Sequence, residues 1–185
     1  MVQHRCALLV LGVWALAAGC GIRRHPDVRS GAVPSAEARI YAAVLRDAQR
    51  NARQDSLRIE SQTVVFGGIP QGVLSRQRVL AVLPAGLIER LATISAVPRD
   101  VRMLPLPART RVVAPDESRQ LQERGRGGLA IFGLSPIAFS DDSANALVVV
   151  RSACGPLCGG ATAVWYAADP AGTWRKRGEF LLDFH

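Results

Sequence analysis

The sequence predicts an α+β fold: an N-terminal amphipathic helix packed with a mainly antiparallel sheet, ending in a C-terminal β-meander. Two observations predict it. Residues 35–50 place apolar side chains at helical spacing. Residues 137–184 carry four apolar or alternating runs separated by turn chemistry. With 185 residues in all, a folded part over 35–185 suits one domain with a proper core.

The elements follow in order. Residues 1–19 read as a leader. Basic His4 and Arg5 precede the apolar run Cys6–Ala18, which is too short to span a bilayer and fits a secretory signal. Leu16-Ala17-Ala18-Gly19-Cys20 resembles a bacterial lipobox, with Ala17 where leucine is usual. The resemblance implies lipidation of Cys20 and cleavage before it, and acyl chains would hold the protein on a membrane leaflet. Gly21 after Cys20 resembles the pattern sorted to the outer membrane, facing the periplasm, in a Gram-negative cell. Residues 20–34, rich in Gly, Pro and charge, read as a flexible tether, and His25 within it as a solvated side chain.

Ser35 is a candidate N-cap. Ile40, Tyr41, Val44, Leu45 and Ala48 then share one helical face, with Arg39, Arg46, Asp47 and Arg50 turned away. Residues 57–66 alternate and end in β-branched residues before Gly67 and Gly68, and read as a strand. Residues 78–83 are a strand or the run-in to a helix. Pro84 suits the first turn of a helix through Thr93 that buries Leu87, Ile88 and Leu91. Three prolines make 97–108 an extended connector. Arg109–Ala114 reads as a strand, and Pro115 and Asp116 open a short polar helix stopped by the glycines at 125, 127 and 128.

The last third is an antiparallel meander with one buried face. SDDSAN (140–145) turns between residues 137–139 and 146–153. Residues 161–168 form the next strand. Asp169-Pro-Ala-Gly172 has type I turn chemistry. Trp174, Phe180, Leu182 and Phe184 then alternate with Arg175, Arg177, Glu179 and Asp183, and Gly178 suits a bulge.

Charge and chemistry narrow the function classes. Lys plus Arg number 23 against 15 Asp plus Glu, a formal charge of +8, and Lys176 is the only lysine. Such a surface attracts anionic lipids or acidic envelope polymers, while an exported chain without a basic-aromatic motif is not expected to bind nucleic acid. Beyond the tether the only histidine is His185, which removes Ser-His-Asp and Cys-His catalysis unless that residue takes part. Zinc lacks ligands, so no metal or cofactor is expected. Asp141-Asp142 reads as turn chemistry. No strand precedes Gly125, Gly127 and Gly128 to make them a phosphate loop.

Cys154 and Cys158 in RSACGPLCGG are the remaining cysteines of the folded part. Their spacing and their place between two strands separate them from a thioredoxin site, whose cysteines open a helix. In an oxidising compartment they are expected to pair as a hairpin clip.

Leu134-Ser135, Phe139-Ser-Asp-Asp, Ala146-Leu-Val, Cys154-Gly-Pro-Leu-Cys-Gly-Gly160 and Gly172-Thr-Trp174 resemble the C-terminal module of uncharacterised bacterial secreted proteins and lipoproteins. The resemblance spans about 50 residues, brings no catalytic residues and implies an envelope location. Such chains end in a Trp-x-Ser-like strand where this one ends Leu-Asp-Phe-His, and Ala161 replaces a third glycine. The expected role is non-enzymatic: binding an envelope protein or polymer, assembly or maintenance. The alternatives are a carboxylate-dependent glycan-acting hydrolase, drawing on Glu60, Asp116 or Glu117, and an inhibitor- or immunity-type lipoprotein.

Overall fold

Helix α1 (Ala36–Ala52) begins where the cap chemistry places it. Ser35 accepts a hydrogen bond from the Ala38 amide at its Oγ, 3.1 Å away. The helix buries Ile40, Tyr41, Val44, Leu45 and Ala48, the stripe its periodicity defines. The chain is described here by a computed structural model over residues 34–52, 56–69, 76–123, 130–155 and 158–184. The leader 1–19, Cys20, the tether through residue 33, the glycines at 125–128 and His185 lie outside the described residues.

Strand β1 (Leu57–Glu60) is shorter than its alternating pattern suggests. Past Glu60 the chain leaves the sheet ladder and bonds elsewhere. Thr63 N–H donates to the Arg99 carbonyl at 2.8 Å, and Val64 N–H donates to that of Leu134 at 2.9 Å. The ambiguous run 78–83 is helical except for its last residue: helix α2 spans Arg76–Val82. Helix α3 (Leu87–Ser95) starts three residues later than Pro84, because Gly86 at φ 75° breaks the chain direction between them. It buries Leu87, Ile88 and Leu91 as expected. The proline-rich connector holds one short 3-10 turn, Val101–Met103, capped by Asp100, whose carboxylate accepts from the Arg102 amide at 2.8 Å.

Strand β2 (Thr110–Val113) and helix α4 (Pro115–Glu123) follow. Then come β3 (Ile131–Leu134), β4 (Ala138–Phe139), β5 (Asn145–Gly155), β6 (Cys158–Ala168) and β7 (Trp174–Phe184). The described strands make one seven-stranded sheet in the order β2-β1-β3-β5-β6-β7, with β4 beside β5. Its C-terminal part is the antiparallel meander the sequence predicts. The N-terminal part is parallel: β1 pairs with both β2 and β3 in that sense. The connections β1–β2 and β2–β3 each contain helix, which is what a parallel crossover needs.

The sheet is buried on both faces, which corrects the expectation of one buried face. One face packs on α1 through Ile59, Phe132, Leu134, Val148, Val164 and Tyr166. The other packs on α3 through Leu147, Val149, Ala163 and Leu182. The continuous apolar run Ala146–Val149 reflects this, since both its odd and its even side chains meet a helical layer.

Strand β7 does not keep one alternation along its length. Its register on β6 shifts between Trp165 and Tyr166, whose partners are Gly178 and Lys176, so Arg177 is extra. The bulge at Arg177-Gly178 inverts the phase of the strand. Trp174 therefore packs on the α1 side, whereas Phe180 and Leu182 pack on the α3 side. A single face for Trp174, Phe180 and Leu182 is thus replaced by two.

Candidate functional site

The phase change in β7 builds a cleft. Lys176 and Glu179 are three residues apart, yet the bulge between them brings both to the α1 face. They bond to each other there, Nζ to Oε2 at 2.5 Å. The C-terminal half of α1 supplies the opposite wall with Val44, Asp47, Ala48 and Asn51. The floor is β3, β5 and β6: Phe132, Val150, Thr162, Val164 and Tyr166. The cleft is open to solvent and has a volume of about 350 Å³, at the small end of ligand-binding pockets, and its walls are mainly apolar with a few convergent polar groups, as in such pockets generally.

Tyr166 is the polar centre of this cleft. Its side chain is 2% exposed, and its hydroxyl is buried with no hydrogen-bond partner among the described residues. A buried hydroxyl left unbonded is costly, and native structures leave few of them. Burial pushes the phenol well above its ordinary pKa, and the nearby Asp47 and Glu179 carboxylates push in the same direction. The two carboxylates thus act on one neutral hydroxyl from opposite walls. Asp47 is also bonded to Arg50 on the outer side of α1, and Glu179 to Lys176.

Two of these residues correct the sequence reading. Asp47 is expected on the solvent face of α1. It sits at the flank of the apolar stripe, three residues from Val44, with its side chain only 33% exposed, and lines the cleft. Glu179 is expected on the face of β7 opposite Trp174; the bulge places it on the α1 side instead, where it lines the rim of the cleft with its side chain 59% exposed. The usable sequence signals are Gly178, which marks the bulge, and a tyrosine inside the apolar run of β6.

A second groove, of about 700 Å³, lies on the opposite face of the sheet beside α4, lined by Glu60, Val113, Ser118, Arg119, Gln122 and Arg151 among others. Glu60 carries an ion pair with Arg151 there. Gly133 makes room for it, since a Cβ at that position would come within 2.9 Å of Glu60 Oε2 and 2.6 Å of Val64 Cγ2. Asp116 and Glu117 are not among the residues lining this groove. Glu117 bonds Arg111 at 2.6 Å, and Asp116 approaches Arg119 at 3.8 Å. The three carboxylates named for hydrolytic chemistry are thus each engaged with an arginine and are not gathered in one cleft.

Cys154 and Cys158 form the disulfide, with Cα atoms 5.2 Å apart. It closes the β5–β6 hairpin, in which Gly155 still pairs with Cys158. Cys154 lines the Tyr166 cleft and Cys158 the groove on the other face, so the clip joins the rims of both. Asp141 and Asp142 act within the turn after β4. Asp141 pairs with Arg90 of α3. Asp142 accepts bonds from Ser140 Oγ and the Ala144 amide, and these hold its carboxyl below the usual carboxylate range. Among the described residues no group of three His, Cys, Asp or Glu side chains is placed to hold a metal ion.

The chain matches no protein-family model, and neither the curated proteins nor the solved structures contain a significant match to it.

Proposed function

We propose that this is an envelope lipoprotein, anchored through Cys20, whose folded domain binds a small ligand in the cleft between α1 and the sheet. The observation that carries the binding role is the Tyr166 hydroxyl, buried and unbonded in a largely apolar cleft. The lipobox-like Leu16–Cys20 segment supports the anchor. The Cys154–Cys158 bond supports an oxidising compartment. Among the described residues no helix is long and apolar enough to cross a membrane; in this reading the acyl chains on Cys20 supply the attachment.

Two measurements on protein made in its own cells test this reading. The intact mass of the native chain is expected to show acyl chains on Cys20, and an unmodified terminus would remove the anchor. A photo-crosslinking residue placed at Asn51, on the lip of the cleft, is expected to capture adducts of small-molecule mass. The same residue at Met103, which is 82% exposed and does not line the cleft, is expected to capture none. Equal small adducts at both positions, or capture at Asn51 only of whole proteins, would overturn the ligand-binding role.

A further inference from the structure

We propose that the Tyr166 cleft is selective for an apolar amine: an ammonium group bound among Asp47, Glu179 and Tyr166, with its hydrocarbon part against Val44, Ala48, Phe132 and Val164. This deepens the binding role proposed above and rests on it.

The charge balance of the cleft gives the sign. The whole chain is basic, with 23 Lys plus Arg against 15 Asp plus Glu, yet among the described residues the charged ones lining this cleft are Asp47, Glu179 and Lys176. Among these described residues two carboxylates face one ammonium. Arg50, the partner of Asp47, is 71% exposed and is not a lining residue, so its charge is the one most screened by water. An anion entering here would meet two carboxylates, with Lys176 already bonded to Glu179.

Hydrogen-bond chemistry gives the group. An ionised carboxylate only accepts, and a primary ammonium only donates, through three N–H bonds. The phenol oxygen of Tyr166 has free acceptor capacity and no partner among the described residues. In the proposed complex the ammonium donates to the Tyr166 oxygen and to the two carboxylates that line the same cleft, and bonds of this charge-assisted kind are the strong ones. A carboxylate ligand would satisfy the Tyr166 hydroxyl as acceptor but would repel both acids. An alcohol could bond Tyr166 and donate one hydrogen to a single carboxylate, without the opposite charge that strengthens an ammonium's bonds. Below the polar centre the lining is Val44, Ala48, Phe132, Val150 and Val164, a surface that takes only hydrocarbon at a favourable free energy.

The test uses the full chain in lipid nanodiscs with ¹³C-labelled tyrosine, titrated with hexylammonium, hexanol and hexanoate. The sequence has two tyrosines, so Tyr166 reports the cleft. Tyr41, fully buried and bonded to the Ser135 carbonyl, reports any general disturbance. Hexylammonium is expected to shift the Tyr166 signal saturably without moving Tyr41, and to bind about tenfold more tightly than hexanol, as one charge-assisted contact implies. Hexanoate is expected to bind more weakly than either. Asp47→Asn and Glu179→Gln are each expected to remove the preference for hexylammonium while leaving hexanol binding in place, and either variant alone suffices if the other fails to fold. Equal affinity for hexylammonium and hexanol would overturn the amine selectivity and leave a binding cleft. A Tyr166 signal unmoved by all three, or moved only together with Tyr41, would overturn the cleft as a ligand site, and with it the binding role.

Discussion

The hydroxyl of Tyr41 donates a hydrogen bond to the carbonyl oxygen of Ser135, 3.0 Å away and 94 residues later in the chain. Both residues are fully buried, so this bond ties α1 to the turn that follows β3. Ser135 is also held on its other sides. Its amide donates to the Val149 carbonyl at 2.9 Å, and its Oγ accepts from the Val149 amide at 2.8 Å while donating to the Pro136 carbonyl. The side chain thus continues the β3–β5 ladder for one step past the end of β3.

Removal of either hydroxyl therefore strands a buried backbone group. Ser135→Ala leaves the Val149 N–H without its acceptor, at a cost of about 1–3 kcal/mol. Tyr41→Phe leaves the Ser135 carbonyl under-bonded, which proteins tolerate better than an orphaned N–H, so its cost is the smaller. Urea unfolding of both variants checks the order: midpoints should fall with unchanged slopes. A Ser135→Ala midpoint equal to that of the parent would show that the Val149 amide finds another acceptor.

Alkaline pH should unfold the protein through its two tyrosines. Burial pushes both phenols far above the ordinary range, with Glu37 adding to the effect at Tyr41 and Asp47 and Glu179 at Tyr166. The neutral form is thus favoured in the folded state. Below pH about 10 both states carry the protonated phenols and stability is complete; above it the unfolded chain ionises first and stability falls. The slope is about 1.4 kcal/mol per pH unit for each tyrosine, so roughly 2.7 for the pair. Phenolate absorbance should stay flat past pH 10 and then rise in one step together with loss of circular dichroism. Tyr41→Phe should halve the slope, and gradual phenolate absorbance in the folded protein would contradict the burial of these hydroxyls.

Much of this fold is legible in the sequence, and the illegible parts have physical causes. The α1 stripe from Ile40 to Ala48 and the Asp169–Gly172 turn follow from local chemistry. In that turn the Gly172 amide donates to the Asp169 carbonyl at 2.8 Å, and the Asp169 carboxylate accepts from Ala171 and Thr173. The parallel pairing of β1 is invisible locally, because Leu57–Glu60 finds its neighbours at Thr110–Val113 and at Ile131 and Phe132. The cleft is harder still. It depends on one extra residue in β7, and an alternation rule carried through Arg177 and Gly178 assigns Glu179 to the wrong face. Asp47 is misplaced for a related reason: periodicity gives the centre of a helical stripe better than its edges.

The β5–β6 hairpin should respond to two substitutions of different kinds. Opening the disulfide with Cys154→Ser frees a loop of about five residues, an entropic loss of about 2 kcal/mol in the denatured-chain account. For a domain of this size that corresponds to a melting temperature lower by about 4–8 °C, with the fold retained because the ladder from Asn145–Ala167 to Ala153–Gly159 does not depend on the bond. Gly159→Ala keeps the disulfide but sets a Cβ 2.4 Å from the Ser152 carbonyl oxygen and 3.3 Å from the Ala153 Cα. Both obstacles are backbone, so relief requires the two strands to part next to the clip, at about 1–3 kcal/mol. Gly67→Ala, with nothing within 4 Å of its added carbon, should change little. Calorimetry of the three variants would check the ordering. A Gly159→Ala protein as stable as Gly67→Ala would mean that the strands do not approach as closely at Ser152 as the hairpin geometry requires.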